Sequence, residues 1–404
     1  MKRILVIGAG ASGMMAAIQA AIAGAQVTIY EKTDRVGKKI LATGNGKCNL
    51  SNQNMDLSNY YCEDYNKLAN CFSRFSVQDT VSFFESNGLL LKEREGYFYP
   101  YCEQASVVLD ILRLCLKKYN VKIINSVSDI VLSVKKNGRF IVDSSVGNKE
   151  FDSVILACGS KAGMKNATTE GYNYAKTFGH RIVPLEPALV QVRCEEDFFP
   201  SIAGVRCKAK ISLYTDKAFN ASEQGELQLT DYGISGIPVF QVSRIIAKAI
   251  RNKNYVQVEI DFIPGMTDVE WKQLIKDRII QYYGLSLEDF LTGLLHKKIN
   301  LMLLKKYGLK PTESLCKENE KRVLELCETM KKFVVTPKGV NGFEQAQVCS
   351  GGVAFSELND NLESIYCPGL YVCGEMVDVD GKCGGYNLQW AWTSGYIAGI
   401  SAAV

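Results

Sequence analysis

A glycine-rich segment near the start of the chain constrains the fold more than any other feature. Gly8, Gly10 and Gly13 follow a short apolar run and precede an Ala- and Met-rich stretch. In this spacing the first glycine permits a tight turn, the second lets a phosphate approach the backbone, and the third lets a helix pack closely on a sheet. The segment therefore predicts a strand–helix–strand unit over residues 3–30.

The residue that ends the second predicted strand limits which dinucleotide can bind. Glu31 lies at the distance, about 20 residues after the first glycine, from which a carboxylate accepts hydrogen bonds from an adenosine ribose and repels a 2′-phosphate. The backbone N–H groups of Ala11 and Ser12, at the start of the helix, are expected to face the phosphates. We place Lys32 in the same site. The pattern favours FAD or NAD over NADP.

A second glycine–acid turn lies near the other end of the chain. Gly374 and Glu375 follow a short apolar run, and Asn387 and Leu388 begin a helix after two further glycines. Because FAD is long enough to need both regions, the pair favours FAD. Glu375 is expected to accept hydrogen bonds from the ribityl hydroxyls, and the helix start to face the N1–C2=O edge of the flavin. An ordinary surface turn with a helix cap is the alternative.

The segment between these ends differs in character. After Pro187 apolar and polar residues first alternate as in β-strands, and further along the apolar residues recur at helical spacing. We predict an α/β protein whose Rossmann-like domain is built from both termini, with an inserted β domain and a helical domain. Their predicted bounds are residues 1–188 and 345–404 for the nucleotide-binding domain, 189–264 and 333–344 for the β domain, and 265–332 for the helical domain.

Composition excludes several classes of function. The 14 cysteines include no C-x-x-C pair and the chain has only two histidines, so no metal site is expected. The net charge of +4 is too small to favour nucleic acid as a partner. The apolar run at 4–25 is interrupted by glycines, so we expect neither a signal peptide nor a membrane span, and a cytoplasmic location with reduced thiols.

Three blocks of the sequence resemble one family of bacterial flavoproteins. Its members are variously described as NAD(P)/FAD-dependent oxidoreductases, aminoacetone oxidases and 3-dehydro-bile acid Δ4,6-reductases. The blocks are residues 37–49, 351–353 and 374–389, and the resemblance runs over nearly the whole chain. It implies FAD in a fold of the two-dinucleotide-binding type, with an inserted barrel-like domain and a helical domain over the flavin.

The resemblance also implies roles for individual residues along the cofactor. The ADP half is expected to be held by Gly8 to Gly13 with Glu31, and the adenine to contact the backbone of Val127. The stretch from the pyrophosphate to the flavin is expected to be lined by Lys39, Gly44, Cys48 and Asn49. The flavin end is expected to be held by Gly374, Glu375, Asn387 and Leu388. The chain departs from the family at Asn45 and Lys47, where Gly and Arg are usual, and Lys47 weakens any bidentate contact inferred there.

The leading functional hypothesis is an FAD-dependent reductase of an unsaturated, steroid- or bile-acid-like small molecule, with hydride passing through flavin N5. The sequence holds one nucleotide fingerprint, so NAD(P)H is expected to be a transient donor unless another donor serves. Two alternatives stay open: an O2-dependent flavin oxidase of a small amine such as aminoacetone, and a flavin-bound RNA-associated or redox-sensing protein. The sequence identifies no catalytic acid and no oligomeric state.

Three local features carry competing interpretations. Cys48 lies in a predicted loop at 38–52, where neighbouring lysines favour a lowered thiol pKa and a redox role, although packing or flavin contact is the favoured interpretation. The aromatic cluster at 97–101 flanks a substrate cavity or forms a packed turn. Lysines at 297, 298, 305 and 306 have helical spacing, which suits an RNA-binding stripe or an ordinary solvated face.

Overall fold

A computed structural model describes residues 1–165 and 167–404 and divides them into two units. The first unit consists of residues 1–186 and 343–404, and the second of residues 187–342. The two ends of the chain therefore build one unit together. The finer boundaries drawn from the sequence, and the separation of the second unit into a β domain and a helical domain, stay predictions.

A parallel five-stranded sheet forms the framework of the first unit. Its strands, in spatial order, are Leu370–Val372, Ser153–Leu156, Arg3–Ile7, Gln26–Tyr30 and Lys122–Ile124. The strands on either side of the first glycine-rich turn have the predicted positions. Ser153–Leu156 and most of Arg3–Ile7 are buried, as expected for parallel strands covered on both faces.

Two helices from opposite ends of the chain pack against each other in this unit. Ala11–Ile22 follows the first strand, and Tyr386–Ala403 ends the chain. A Cβ added to Gly395 would lie 2.4 Å from the carbonyl oxygen of Ser12, and one added to Gly399 would lie 2.3 Å from that of Ala16. The backbones therefore approach at a distance that only glycine permits.

The remaining elements of the first unit surround this framework. The other helices are Lys38–Ala42, Tyr65–Arg74, Val77–Ser86, Ala105–Lys118 and Glu170–Thr177, with 3₁₀ turns at Thr43–Gly46, Leu57–Asn59, Phe355–Glu357 and Gly374–Met376. The other strands are Ser51–Asn52, Tyr60–Tyr61, Leu91–Arg94, Tyr97–Pro100, Val131–Val134, Phe140–Asp143, Lys149–Phe151, Ile182–Ala188, Val348–Val353 and Asp380–Gly381. These form small antiparallel sheets and a two-stranded pairing of Ile182–Ala188 with Val348–Val353.

The second unit has an antiparallel sheet and helices that share one hydrophobic cluster. In spatial order its strands are Phe333–Val335, Val256–Asp261, Arg206–Thr215, Ala218–Leu229, Gly233–Gly236, Val192–Cys194 and Pro337–Val340. Its helices are Phe199–Ile202, Ile237–Arg251, Asp268–Tyr282, Leu287–Leu291, Lys297–Lys306 and Glu320–Thr329. The first and last strands of the order are separated in sequence by Thr336 alone. This connection supports the predicted barrel-like closure, which stays a prediction.

One segment differs in secondary structure from the sequence-based expectation. The segment predicted as a loop at 38–52 contains the helix Lys38–Ala42, which begins after Gly37 at a φ of +72°.

All 14 cysteines are free of disulfides in the part of the chain described. Among the described helices, none combines the length and the hydropathy that crossing a membrane requires.

Candidate dinucleotide-binding site

Two of the three glycines in the first glycine-rich turn are tightly packed by protein atoms, and the remaining one faces open space. A Cβ on Gly8 would lie 2.3 Å from the Ala157 carbonyl oxygen, and one on Gly13 would lie 2.0 Å from that of Gly8. A Cβ on Gly10 would meet no atom within 4 Å. The first and third glycines are therefore required by the protein's own packing, whereas the second borders open space that a phosphate could enter.

The positive end of a helix faces the same turn. Ala11–Ile22 begins directly after Gly10, and no side chain caps its first turn. The first N–H groups of a helix, here those of Ala11, Ser12 and Gly13, have no partner within the helix and attract anions. This uncapped end and the open side of Gly10 together suit a pyrophosphate.

The carboxylate of Glu31 is fixed beside the turn by hydrogen bonds to both oxygens. Oε2 accepts a hydrogen bond from the Ala9 N–H at 2.8 Å, and Oε1 accepts from the N–H and hydroxyl of Thr33, each at 2.8 Å. Val127 is brought to the same place, because its N–H donates to the Glu31 carbonyl oxygen at 3.0 Å. Lys32 forms an ion pair with Glu170 at 2.8 Å, and its place in the cofactor site stays a prediction.

The second glycine–acid turn contacts the first. Gly374 has a φ of +69°, and a Cβ there would lie 2.2 Å from Oγ of Ser12. Its N–H donates to Ser394 Oγ at 2.9 Å, and its carbonyl oxygen accepts from the Trp390 indole at 3.1 Å. Both anchoring side chains lie on the last helix. The structure therefore brings the two glycine motifs together although more than 300 residues separate them in sequence.

An ion pair joins the two ends of the chain near this turn. Lys39 Nζ lies 2.5 Å from Glu375 Oε2, and Glu375 Oε1 accepts a hydrogen bond from the Cys349 N–H at 2.9 Å. Both side chains are only partly exposed. Two residues predicted separately for the cofactor site thus lie in direct contact. The role of Glu375 toward the ribityl hydroxyls stays a prediction.

The start of the last helix is shaped by a glycine with positive φ and by an asparagine. Gly385 has a φ of +92°, and a Cβ there would lie 2.6 Å from the carbonyl group of Ser51. The Asn387 side chain accepts from the Gly381 N–H at 2.9 Å and donates to its carbonyl oxygen at 2.7 Å. Asn387 therefore orders the preceding loop with its side chain, and Leu388 packs against the core.

The loop that carries Cys48 changes one expectation. Gly44 and Gly46 have positive φ, as does Cys48 itself at +56°, and a Cβ on Gly44 would lie 3.0 Å from the N atom of Asn49. Cys48 is fully buried, and this burial raises the pKa of its thiol to about 11. The lowered thiol pKa expected from the neighbouring lysines is therefore wrong. Desolvation is the main cause, and it outweighs a hydrogen bond with Thr43, which lowers the pKa.

Sequence reasoning missed several contacts of the site. Thr33 and Ser394 bind Glu31 and Gly374 respectively, yet no motif distinguishes them from other hydroxyl residues.

His180 is buried between Ser364 Oγ at 2.7 Å and the Glu357 carboxylate at 3.3 Å, and burial lowers its pKa, which suits a structural residue. In the described chain, no group of three His, Cys, Asp or Glu residues could hold a metal ion.

Comparison with known proteins places this geometry in a family. Residues 2–401 match the family model described as "HI0933-like protein Rossmann domain". The chain is 42% identical over its full length to a 3-dehydro-bile acid delta(4,6)-reductase of Clostridium scindens, covering 99% of that protein. It is 29% identical to a ribosomal RNA dihydrouridine synthase of Haemophilus influenzae, over 98% of this chain and 97% of that protein.

Two further similarities complete the comparison. A ribosomal RNA dihydrouridine synthase of Escherichia coli is 29% identical over 97% of this chain and 96% of that protein. A solved 3-ketosteroid-Δ4-(5α)-dehydrogenase from Rhodococcus jostii RHA1 aligns with 100% of this chain and 97% of its own at 15% identity, with a TM-score of 0.49.

The family implies FAD, and the residues present fit it. Gly10 leaves space for a phosphate, the first helix offers free N–H groups, and Glu31 presents a fixed carboxylate where an adenosine ribose would lie. The chain therefore belongs to the HI0933-like Rossmann family and is an FAD-dependent oxidoreductase.

Proposed function

We propose that this protein reduces a carbon–carbon double bond conjugated to a carbonyl group, with a steroid- or bile-acid-like ketone as its substrate. The observation that carries the proposal is the 42% identity to a bile acid reductase, which extends from one end of the chain to the other. The aligned region includes both glycine motifs. NAD(P)H is the proposed electron donor.

The chemistry in the names of the relatives supports a reductase over an oxidase. A 3-dehydro-Δ4 bile acid carries a C=C bond next to a ketone, and uridine carries one next to its C4 carbonyl. Saturating either bond requires a hydride at the β-carbon and a proton at the α-carbon. One arrangement of donor and acceptor could therefore serve both substrate types, whereas oxidising an amine requires hydride removal in the opposite direction.

The residues of the chain would position the cofactor rather than supply its chemistry. Bound FAD, once reduced by NAD(P)H, would supply the hydride. The uncapped start of Ala11–Ile22 and the open side of Gly10 would bind the pyrophosphate, and Glu31 the ribose. The N–H groups at the start of Tyr386–Ala403 would stabilise negative charge that develops next to them.

An anaerobic stopped-flow experiment tests this proposal. The purified holoenzyme is reduced with NADH or NADPH and then mixed with a 3-oxo-4-ene steroid while flavin absorbance is followed. We expect one nucleotide to bleach the flavin and the steroid to restore its colour. Slow bleaching by both nucleotides contradicts the donor. Fast reoxidation by O2 with stoichiometric peroxide after reduction by aminoacetone would instead establish the oxidase.

A second candidate function is the reduction of uridine in RNA. It is favoured by the 29% identity to ribosomal RNA dihydrouridine synthases over nearly the whole chain. The predicted lysine stripe does not add to it, because Lys297 pairs with Glu288 at 2.6 Å and Lys298 donates to the Ala203 carbonyl oxygen. Incubating the reduced enzyme with unmodified ribosomal RNA and measuring dihydrouridine by mass spectrometry distinguishes the two substrates.

A further inference from the structure

A cleft of about 160 Å³ lies next to the hairpin formed by Leu91–Arg94 and Tyr97–Pro100. It is lined by Lys47, Arg94, Glu95, Tyr97, Tyr99 and Glu103. Tyr97 and Tyr99 are two residues apart on one strand, so their side chains lie on the same face of it. The cleft therefore offers an aromatic wall beside charged groups.

The cleft adjoins the loop that precedes the last helix. A Cβ on Gly384 would lie 2.9 Å from the ring of Tyr97, and the Asn52 side chain donates to the Gly384 carbonyl oxygen at 3.0 Å. Lys47 belongs to the loop that contains Gly44 and Asn49. The first loop leads into the residues proposed for the flavin end, and the second belongs to the proposed pyrophosphate-to-flavin stretch, so a molecule in the cleft would lie beside the flavin half of the site.

The charges of the cleft are unequally paired. Glu103 accepts ion pairs from Lys47 at 2.6 Å and from Lys92 at 2.7 Å, and these two lysines lower its pKa to about 2. Its negative charge is therefore present at any ordinary pH and is shared between two cations. Among the described residues Arg94 has no carboxylate within ion-pair distance, and its side chain is exposed at the cleft.

We propose that Arg94 and the Tyr97–Tyr99 wall form a subsite that binds the carboxylate end of an amphipathic, ring-containing substrate. A guanidinium binds a carboxylate through two parallel hydrogen bonds, and tyrosine rings pack on apolar rings while their hydroxyls stay hydrated. The inference rests on the proposed function, because it assigns a binding end to the same enone substrate. Arg94 is thus a specificity-determining residue that acts on the substrate's carboxylate end rather than on its double bond.

Equilibrium binding to the oxidised holoenzyme tests the subsite without requiring turnover. The probes are a 3-oxo-4-ene steroid with a side-chain carboxylate and its uncharged primary amide, titrated by calorimetry. We expect wild-type protein to bind the acid about tenfold more tightly than the amide at low salt, with the difference shrinking as salt screens the exposed charges. Arg94→Gln should remove this preference and change amide binding less than twofold, whereas Arg94→Lys should keep part of it.

Arg113→Gln is the matched control, because Arg113 is an exposed arginine paired with Asp110 on the helix Ala105–Lys118. It should leave both affinities unchanged. Equal weakening of acid and amide by Arg94→Gln, or no preference for the acid in the wild type, overturns the subsite. Acid-selective binding that depends on Arg94 in an enzyme that does not reduce the steroid supports the subsite and contradicts the proposed function instead.

Discussion

Both carboxylate oxygens of Glu31 accept hydrogen bonds from the protein, so replacing the carboxylate with an amide tests whether they matter for FAD binding. Glutamine at this position offers one acceptor oxygen instead of two, so either the Ala9 N–H or Thr33 loses its partner. We expect Glu31→Gln to raise the FAD dissociation constant about tenfold, equivalent to about 1.4 kcal/mol. Titrating apoprotein into FAD and following flavin fluorescence measures this constant.

The control for that substitution is Glu85→Gln, which changes an exposed residue on the helix Val77–Ser86. It should bind FAD like the wild type. If Glu31→Gln also did so, FAD binding would require neither the second acceptor oxygen nor the negative charge of Glu31, and the assignment of this carboxylate to the ribose would be wrong.

Cys48 allows a second test at the scale of a single side chain. With a thiol pKa of about 11, roughly one molecule in a thousand carries the thiolate at pH 8. We therefore expect Cys48→Ala to keep its FAD and to turn over within about threefold of the wild-type rate, at a cost of about 1 kcal/mol in stability for the lost packing. Turnover and bound flavin are measured on the same preparation.

Thiol labelling provides an independent check on Cys48. Iodoacetamide at pH 8 should modify the exposed Cys102 in the folded protein and leave Cys48 unmodified, as peptide mass spectrometry would show. Loss of turnover in Cys48→Ala with full FAD content would return the thiol to a redox role.

Among the elements, the crossing of the first and last helices determines whether the two glycine motifs meet. Gly399→Ala would place a Cβ 2.3 Å from the Ala16 carbonyl oxygen, so the helices must separate. Overpacking of this kind costs about 1–3 kcal/mol. We expect a lower urea midpoint and weaker FAD binding, because Ser12 and Gly374 would move apart. Gly265→Ala, at an exposed position with no atom within 4 Å of the added Cβ, should change neither.

The elements also show which parts of the structure a sequence can predict. The strands Arg3–Ile7 and Gln26–Tyr30 and the helix between them were predictable because apolar periodicity and glycine spacing both act over a few residues. The helix Lys38–Ala42 was not, since five residues carry too little periodicity and flanking glycines favour a loop. Its position depends on tertiary packing, with Gly37 closely approached by Leu109.

The candidate site divides in the same way. The glycines and Glu31 could be proposed as site residues from spacing alone. The ion pair of Lys39 with Glu375 and the contact of Ser12 with Gly374 could not, because each joins residues more than 300 positions apart. The burial that raises the pKa of Cys48 is likewise a property of the folded core, and local sequence indicated the opposite direction.

For the whole molecule, the consequence of a site built from both chain ends is that the cofactor should stabilise both ends together. A ligand that binds only the native state adds about 2.7 kcal/mol at a hundredfold excess over its dissociation constant. We therefore expect FAD to slow amide hydrogen exchange at residues 8–14 and at 374–389 in parallel. The strand Arg206–Thr215, in the other unit, serves as the internal reference and should exchange equally with and without FAD.

Comparing exchange in apoprotein and holoprotein separates two ways in which the chain could bind its cofactor. If both segments are protected with the same dependence on FAD concentration, the result supports one molecule bound to both ends, as the contact of Ser12 with Gly374 leads us to expect. Protection of residues 8–14 alone would mean that the first motif binds a nucleotide without the second. In that case the ion pair of Lys39 with Glu375 would only hold the chain ends together, and the flavin end of the site would lie elsewhere.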